Sequence, residues 1–269
     1  MRYVTDEKSK NEYKQFLEGH ERCNFQQSPE WAKVKSNWKN ETILAEDENG
    51  KIIGAVNVLI RKLPIFGNIM YSSRGPICDI YDVNVMKQLT DGIKELAQKY
   101  KAPICAHSSE SKSEVEGCIE RYGMTPTVLF DKLGMFDYGG TYYHCIHLTD
   151  EDIELMAQKG IYVVTNPASN MKLASGIARV EDMLAKGVHV AIGTDGPSSN
   201  NCLDMFREMF LVTALAKIKS NNAAAMSADT VLQMATVEGA RCMGLHDADV
   251  LAEGKLADFI MIDLQQPNM

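Results

Sequence analysis

The sequence predicts an α/β chain built from two unlike parts, an antiparallel α+β segment over residues 1–100 and a parallel strand–helix unit over 101–269. Three observations carry this. After Lys101 a short apolar strand, a polar loop and a helical segment recur four times, the pattern of a parallel sheet with right-handed crossovers. Before it, apolar runs are joined by short turns, as in antiparallel hairpins. The charges divide at the same place: residues 1–100 hold 15 Lys and Arg against 14 Asp and Glu, whereas residues 101–269 hold 13 against 22.

In chain order, residues 8–18 are weakly helical, and "SPEWAKVKSNW" opens a second helix with Ser28 as N-cap and Pro29 at the first helical position. "TILAED", the turn "ENG", "KIIGAVNVLIRKLP", a turn at "IFG" and "NIMYSS" read as hairpin-linked strands. "RGPICDIYD" reads as loop. "VNVMKQLTDGIKELAQKYKA" is a helix, with Val85, Leu89, Ile93, Leu96 and Tyr100 along one apolar stripe. The strands of the second part are "PICAH" (103–107), "TYYH" (141–144), "IYVVTN" (161–166) and "VHVAIGTD" (188–195). Helical segments are expected at 113–122 with 126–133, then at 149–159, 179–186 and 202–218. One more helix is expected over 227–243, and a last strand at the end of "LAEGKLADFIMIDL".

With 45% hydrophobic and 24% charged residues, the chain has the composition of an ordinary globular protein with a substantial core. Its seven cysteines form no CxxC pair and read as reduced thiols rather than a disulfide framework. No apolar run is long enough to span a bilayer, and "MRYVTDEKSKNEYK" lacks a signal-peptide core, so a cytoplasmic location is expected. The net charge of −8, concentrated in the second part, argues against binding DNA there.

Three of the four strand-like segments end in a possible metal ligand: His107, His144 and Asp195. Glu110 follows His107 by three residues in "HSSE". Imidazoles and a carboxylate suit Zn²⁺ or another divalent transition metal, and the carboxyl ends of parallel strands are where α/β folds carry their chemistry. Each residue also has a bland reading. A strand-end histidine is often a hydrogen-bonded structural residue, an Asp before Gly is often a turn or N-cap residue, and Glu110 fits a solvated loop. His147, His189 and His246 take the bland reading by default.

"PICAHSSESKSEVEGCIERYGMTP", "YYHCIHLTDEDIELMAQKGIYVVTNPASNMKLASGIARVEDMLAKGVHVAIGTDG" and "LDMFREMFLVTAL" resemble the amidohydrolase superfamily, in particular its methylthioadenosine/S-adenosylhomocysteine deaminase group, over about residues 95–269. The resemblance implies a metal-dependent (β/α)₈ hydrolase barrel of the TIM type, represented here by strands five to eight. It implies hydrolytic deamination of an adenosine-type nucleoside. On the matching positions it implies His107 and His144 as metal ligands at the ends of barrel strands five and six. Glu110 would shuttle a proton to the purine ring, with His144 beside it at the substrate, and Asp195 would bind metal and deprotonate water.

The sequence also departs from that pattern. It contains no HxH pair, which the family's first barrel strand carries for two further ligands, and the segments that grip ribose and the sulfur substituent are not recognisable. Arg179 stands where a proline is expected, and the chain stops at "QPNM", where the family continues into its β-domain. The expectation is therefore a weakly held metal, absent or very slow turnover, and a half-barrel whose open edges favour self-association.

"FQQSPEWAKVKSNW", "DENGKIIGAVNVLIRKLP" and "MYSSRGPICD" resemble the FemAB family of peptidoglycan interpeptide-bridge aminoacyltransferases over about residues 10–100. This implies a partial GNAT-like segment, and as an alternative function the transfer of an amino acid from aminoacyl-tRNA to a muropeptide precursor. Trp31 and Trp38 also read simply as a helix packing face, and no catalytic residue carries over. A non-catalytic chimera is the third reading.

Overall fold

Two separately hydrogen-bonded sheets organise the computed structural model, which describes residues 1–63, 67–137 and 139–265. The first sheet holds β1 (Arg2–Tyr3), β2 (Lys39–Glu46), β3 (Ile52–Leu63) and β4 (Gly67–Tyr71) in that order, all antiparallel. β5 (Ile77–Cys78) also pairs with β3, so the stretch read as loop contributes a short strand. Part of the turn expected at "IFG" lies outside the described residues.

Local chemistry starts and stops the helices here. α1 (Glu7–Glu18) opens with Asp6 and Ser9 in a reciprocal capping box. α2 (Pro29–Val34) is capped as the sequence predicts, the Ser28 hydroxyl accepting from the Trp31 N–H. α3 (Val83–Tyr100) ends where Lys101 turns left-handed at φ 50°. Its apolar stripe puts Val85, Leu89 and Leu96 against Ile43, Val56 and Val58 of β2 and β3, with Ile93 and Tyr100 at the margin. Each such side chain contributes about 1.5–3 kcal/mol by leaving water.

The second sheet holds β6 (Ile104–Ser108), β7 (Gly140–His144), β8 (Tyr162–Thr165) and β9 (His189–Ile192), in that order and all parallel. Between them run α4 (Lys112–Tyr122), α5 (Pro126–Lys132), α6 (Asp150–Gln158), α7 (Pro167–Lys172) and α8 (Val180–Ala185). After β9 come α9 (Pro197–Asn200), α10 (Met205–Ser220), α11 (Ala228–Ala235) and α12 (Val237–Cys242). Tyr142, Val163 and Val190 lie side by side across the sheet and point into one core with Ile153, Met156, Met183, Val212 and Met234. The opposite face stays open at β6, where Cys105 and His107 are exposed. Among the described residues β6 pairs only with β7 and β9 only with β8, so both edges of this sheet are bare.

The second part also departs from the expected elements. The helix expected over 227–243 breaks at Thr236, whose ψ of −76° separates α11 from α12. The last strand does not form: "FIMIDL" pairs with no strand of the described residues and leaves Phe259, Ile260 and Met261 exposed. β9 ends at Ile192, three residues short of Asp195, which therefore sits in a loop. Among the described residues no helix is long and apolar enough to cross a membrane.

Candidate active site at the carboxyl rim of the parallel sheet

His107 stands next to last on β6, in register with Tyr143 of β7, and its ring stacks on that of His144 at 5.3 Å and 23°. His144 closes β7 in an unusual backbone state. It and Cys145 have φ of 70° and 47°, and Ser109 across the loop has 52°. Left-handed residues with side chains cost of order 1–3 kcal/mol each and persist only where the surroundings impose them. Here the Cys145 N–H donates to the Ser108 carbonyl, and the Ile146 and His147 N–H groups both donate to the Ser109 carbonyl. The reversal swings the His144 imidazole, only 1% exposed, under the rim.

There His144 meets two partners. Its Nδ1 lies 2.7 Å from Asn170 Oδ1, and its Nε2 lies 3.8 Å from Glu110 Oε2. The other Glu110 oxygen accepts from the Ser175 hydroxyl at 3.3 Å. The loop bearing Glu110 is itself clamped, because both Glu114 oxygens accept backbone N–H groups, from Ser109 and Glu110, at 2.8 Å each.

Asp195 is held from the other side. One oxygen accepts from the Ser169 and Ser199 hydroxyls at 2.6 and 2.8 Å, and the second accepts the Gly196 N–H at 2.7 Å. Burial pushes its carboxyl up, but the donors Ser169, Ser199 and Gly196, together with nearby His144, outweigh burial and hold it below the usual carboxylate range. Asp195 is therefore ionised near neutral pH. Gly193 just before it has no room for a side chain: a Cβ would lie 2.4 Å from Asn166 Oδ1 and 2.8 Å from Val164 Cγ1.

Behind both sits Glu208 of α10, fully buried. One of its oxygens accepts the Ala168 N–H at the start of α7, and the other accepts the Asn200 amide, which also donates to the Thr194 carbonyl. A single carboxylate thus ties the helix carrying Ser169 and Asn170 to the loop carrying Asp195. Sequence reasoning missed Glu208, Asn170, Ser169, Ser199 and Glu114. The "NPASN" motif pointed at two of them, whereas nothing local marks Glu208 as anything but a helix-surface residue.

The remaining histidines play other parts. His147 Nε2 is 2.8 Å from the Ser175 carbonyl, and His189, stacked on Tyr162 at the opposite end of the strands, is 3.1 Å from Glu238. His246 is exposed. All three fit the bland reading.

The expected metal site is not assembled. Among the described residues no group of three His, Cys, Asp or Glu side chains lies together as a cation requires. The Asp195 oxygens accept from hydroxyl and N–H donors, one nitrogen of His144 faces Asn170, and the His107 ring stacks on that of His144. The donor chemistry of His107, His144 and Asp195 suits Zn²⁺, but the three do not fit one by themselves. What the rim does assemble is His144 held by Asn170 and facing Glu110, with Asp195 fixed by two hydroxyls and an N–H in the loop after β9.

The chain matches the model of the "Amidohydrolase family" over residues 78–269 and that of the "FemAB family" over residues 8–107. It is 45% identical over 179 residues to the 5-methylthioadenosine/S-adenosylhomocysteine deaminase of Caldanaerobacter subterraneus subsp. tengcongensis, covering 66% of this chain and 41% of the relative. The protein of that name from Desulfitobacterium hafniense is 46% identical over 176 residues, covering 65% and 41%. Among solved structures, an adenosine deaminase from Xanthomonas campestris with bound zinc superposes with a TM-score of 0.60 at 38% identity, over 63% of this chain and 39% of that one. Guanine deaminase from C. acetobutylicum with bound guanine superposes with a TM-score of 0.58 at 27% identity, over 63% and 41%. The chain spans about two fifths of the length of the curated relatives it matches.

Proposed function

The chain belongs to the amidohydrolase family, and from that premise we propose that its rim is the proton-handling part of a site for hydrolytic deamination of an adenosine-type nucleoside, on strands corresponding to the second half of a (β/α)₈ barrel. The observation that carries this is Glu110 standing 3.8 Å from the buried His144 Nε2, with the ionised, hydroxyl-held Asp195 in the loop after β9. The identity to 5-methylthioadenosine/S-adenosylhomocysteine deaminases and the likeness to an adenosine deaminase support it.

In this reading Asp195 takes a proton from water as the oxygen attacks the carbon bearing the amine. Glu110 in its acid form gives a proton to the ring nitrogen, so negative charge does not build up on the purine. His144 faces Glu110 with Nε2 at 3.8 Å, and the Ser175 hydroxyl together with the Glu114 clamp on the loop keeps Glu110 in place. Asp195 then returns its proton to the amine as the C–N bond breaks, the hydroxyl proton restores the acid form of Glu110 as the carbonyl forms, and the product and ammonia leave. The zinc of the Xanthomonas enzyme suggests that a divalent cation would add Lewis acidity here, with His107, His144 and Asp195 as the candidate donors. They do not hold one alone.

Because no HxH pair is present to add ligands, turnover should be slow, catalysis depending on positioning as much as on the reacting groups. The test is ammonia release from methylthioadenosine, S-adenosylhomocysteine and adenosine over long incubations. Slow release that disappears in Glu110→Gln is the expected result. Release that survives Glu110→Gln, or none at all, overturns the reading.

A second reading attaches to the first part, where the FemAB match covers residues 8–107. It is aminoacyl transfer on a GNAT-like segment, and it requires binding of aminoacyl-tRNA or a muropeptide precursor. No side chain in this part stands out as its catalyst.

A further inference from the structure

Four residues of the rim close a ring of contacts. Asn170 Oδ1 meets His144 Nδ1 at 2.7 Å, His144 Nε2 meets Glu110 Oε2 at 3.8 Å, Glu110 Oε1 accepts from the Ser175 hydroxyl at 3.3 Å, and the Ser175 N–H donates to the Asn170 carbonyl at 2.8 Å. We propose that Asn170 is a positioning residue that sets the tautomer of His144, placing the proton on Nδ1 and turning the Nε2 lone pair toward Glu110.

A neutral imidazole carries one N–H, and an amide carbonyl oxygen can only accept. With Oδ1 at Nδ1, the proton belongs on Nδ1 and Nε2 is the acceptor. The group facing Nε2, at 3.8 Å, is Glu110, the proton donor of the proposed ring protonation. This step deepens the deaminase reading and rests on it; the hydrogen bond between Asn170 and His144 does not.

Neither partner is free to turn away. His144 and Asn170 are 1% and 2% exposed, so breaking their bond strands a polar group away from water. His144 is aimed by its left-handed backbone. The Asn170 N–H donates to the Asn166 carbonyl, and the start of α7 is tied to Glu208 through the Ala168 N–H. The strain at His144 and the buried amide beside it are two separate observations pointing to one role, holding an imidazole in a set orientation.

The opposite amide orientation would put an NH₂ group against Nδ1 and force the proton onto Nε2, so the two arrangements differ in a measurable way. The test uses the full chain labelled with ¹⁵N at histidine, treated with chelator and held near pH 8.5, about two units above the usual imidazole pKa. Long-range ¹H–¹⁵N correlation distinguishes the tautomers, and the signals of His144 are identified by their loss in His144→Gln.

The expected result is an Nδ1–H tautomer in the native chain, kept in Asn170→Asp, where a carboxylate can only accept, and lost in Asn170→Leu. An Nε2–H tautomer in the native chain, or Nδ1–H persisting in Asn170→Leu, would overturn the proposal. If Asn170→Leu does not fold, the comparison of the native chain with Asn170→Asp still decides, since both must carry Nδ1–H. The readout needs no turnover, so a chain that releases no ammonia removes the deaminase reading and leaves this test standing.

Discussion

Replacing Glu208 by alanine probes how the rim is held together. Glu208 is fully buried, and its two oxygens accept from the Ala168 N–H at 2.9 Å and the Asn200 amide at 2.8 Å, both on residues less than 5% exposed. Glu208→Ala leaves two buried donors without acceptors, at about 1–3 kcal/mol each, or about 2–6 kcal/mol together. That is a large share of the roughly 5–15 kcal/mol by which native domains are stable. Glu208→Gln keeps one acceptor but turns an N–H against the other donor, so about half the loss is expected. Urea unfolding followed by circular dichroism reads the global effect; at a slope of about 1–3 kcal/mol per molar, Glu208→Ala should lower the midpoint by about 1 M or more. Hydrogen exchange at the Ala168 amide reads the local one, with protection in the native chain and fast exchange in the variant. If Glu208→Ala costs less than about 1 kcal/mol and the Ala168 amide stays protected, Glu208 is not the tie between α7 and the Asp195 loop.

Three further outcomes are expected. The carboxyl of Asp195 is held below its usual range in the folded chain, so it contributes stability that is present above the unfolded value of about 3.9 and is lost as pH falls through the folded one; with Ser169→Ala and Ser199→Ala combined, the titration followed by ¹³C NMR should move up, and an unmoved midpoint would refute the assignment to those hydroxyls. Zinc should be lost on dialysis against a mild chelator, and whatever weak binding remains should vanish in Asp195→Ala; stoichiometric retention would mean that other residues complete the site. The bare edges at β6 and β9 and the exposed Phe259, Ile260 and Met261 should drive self-association, and a sharp monomeric peak in light scattering at rising concentration would refute this.

Most of the secondary structure was legible because it is locally encoded. Ser28 with Pro29, and the stripe of Val85, Leu89 and Leu96, are signals a chain carries wherever it folds. The four strands of the parallel sheet were legible from short β-branched and aromatic runs followed by loops. "FIMIDL" was misread for the complementary reason: a strand is completed by pairing with a neighbour, and among the described residues this segment pairs with none. The break at Thr236 is a tertiary choice, made as α11 and α12 each contact β9.

For the site, residue types at strand ends determined which side chains could meet: His107, His144, Glu110 and Asp195 follow from strand polarity and the family blocks. How they meet was decided only in three dimensions. The left-handed turn at His144 is set by a buried backbone, and the Asn170 amide on its Nδ1, Ser169 on Asp195, Glu208 on the Ala168 N–H and Ser175 on Glu110 join segments 26 to 65 residues apart. Hydrogen-bond partners depend on distances of a few tenths of an ångström, which no periodicity carries. The same precision explains why three suitable metal donors do not make a metal site: sequence supplies the ligand types, and the packed backbone decides whether their lone pairs converge.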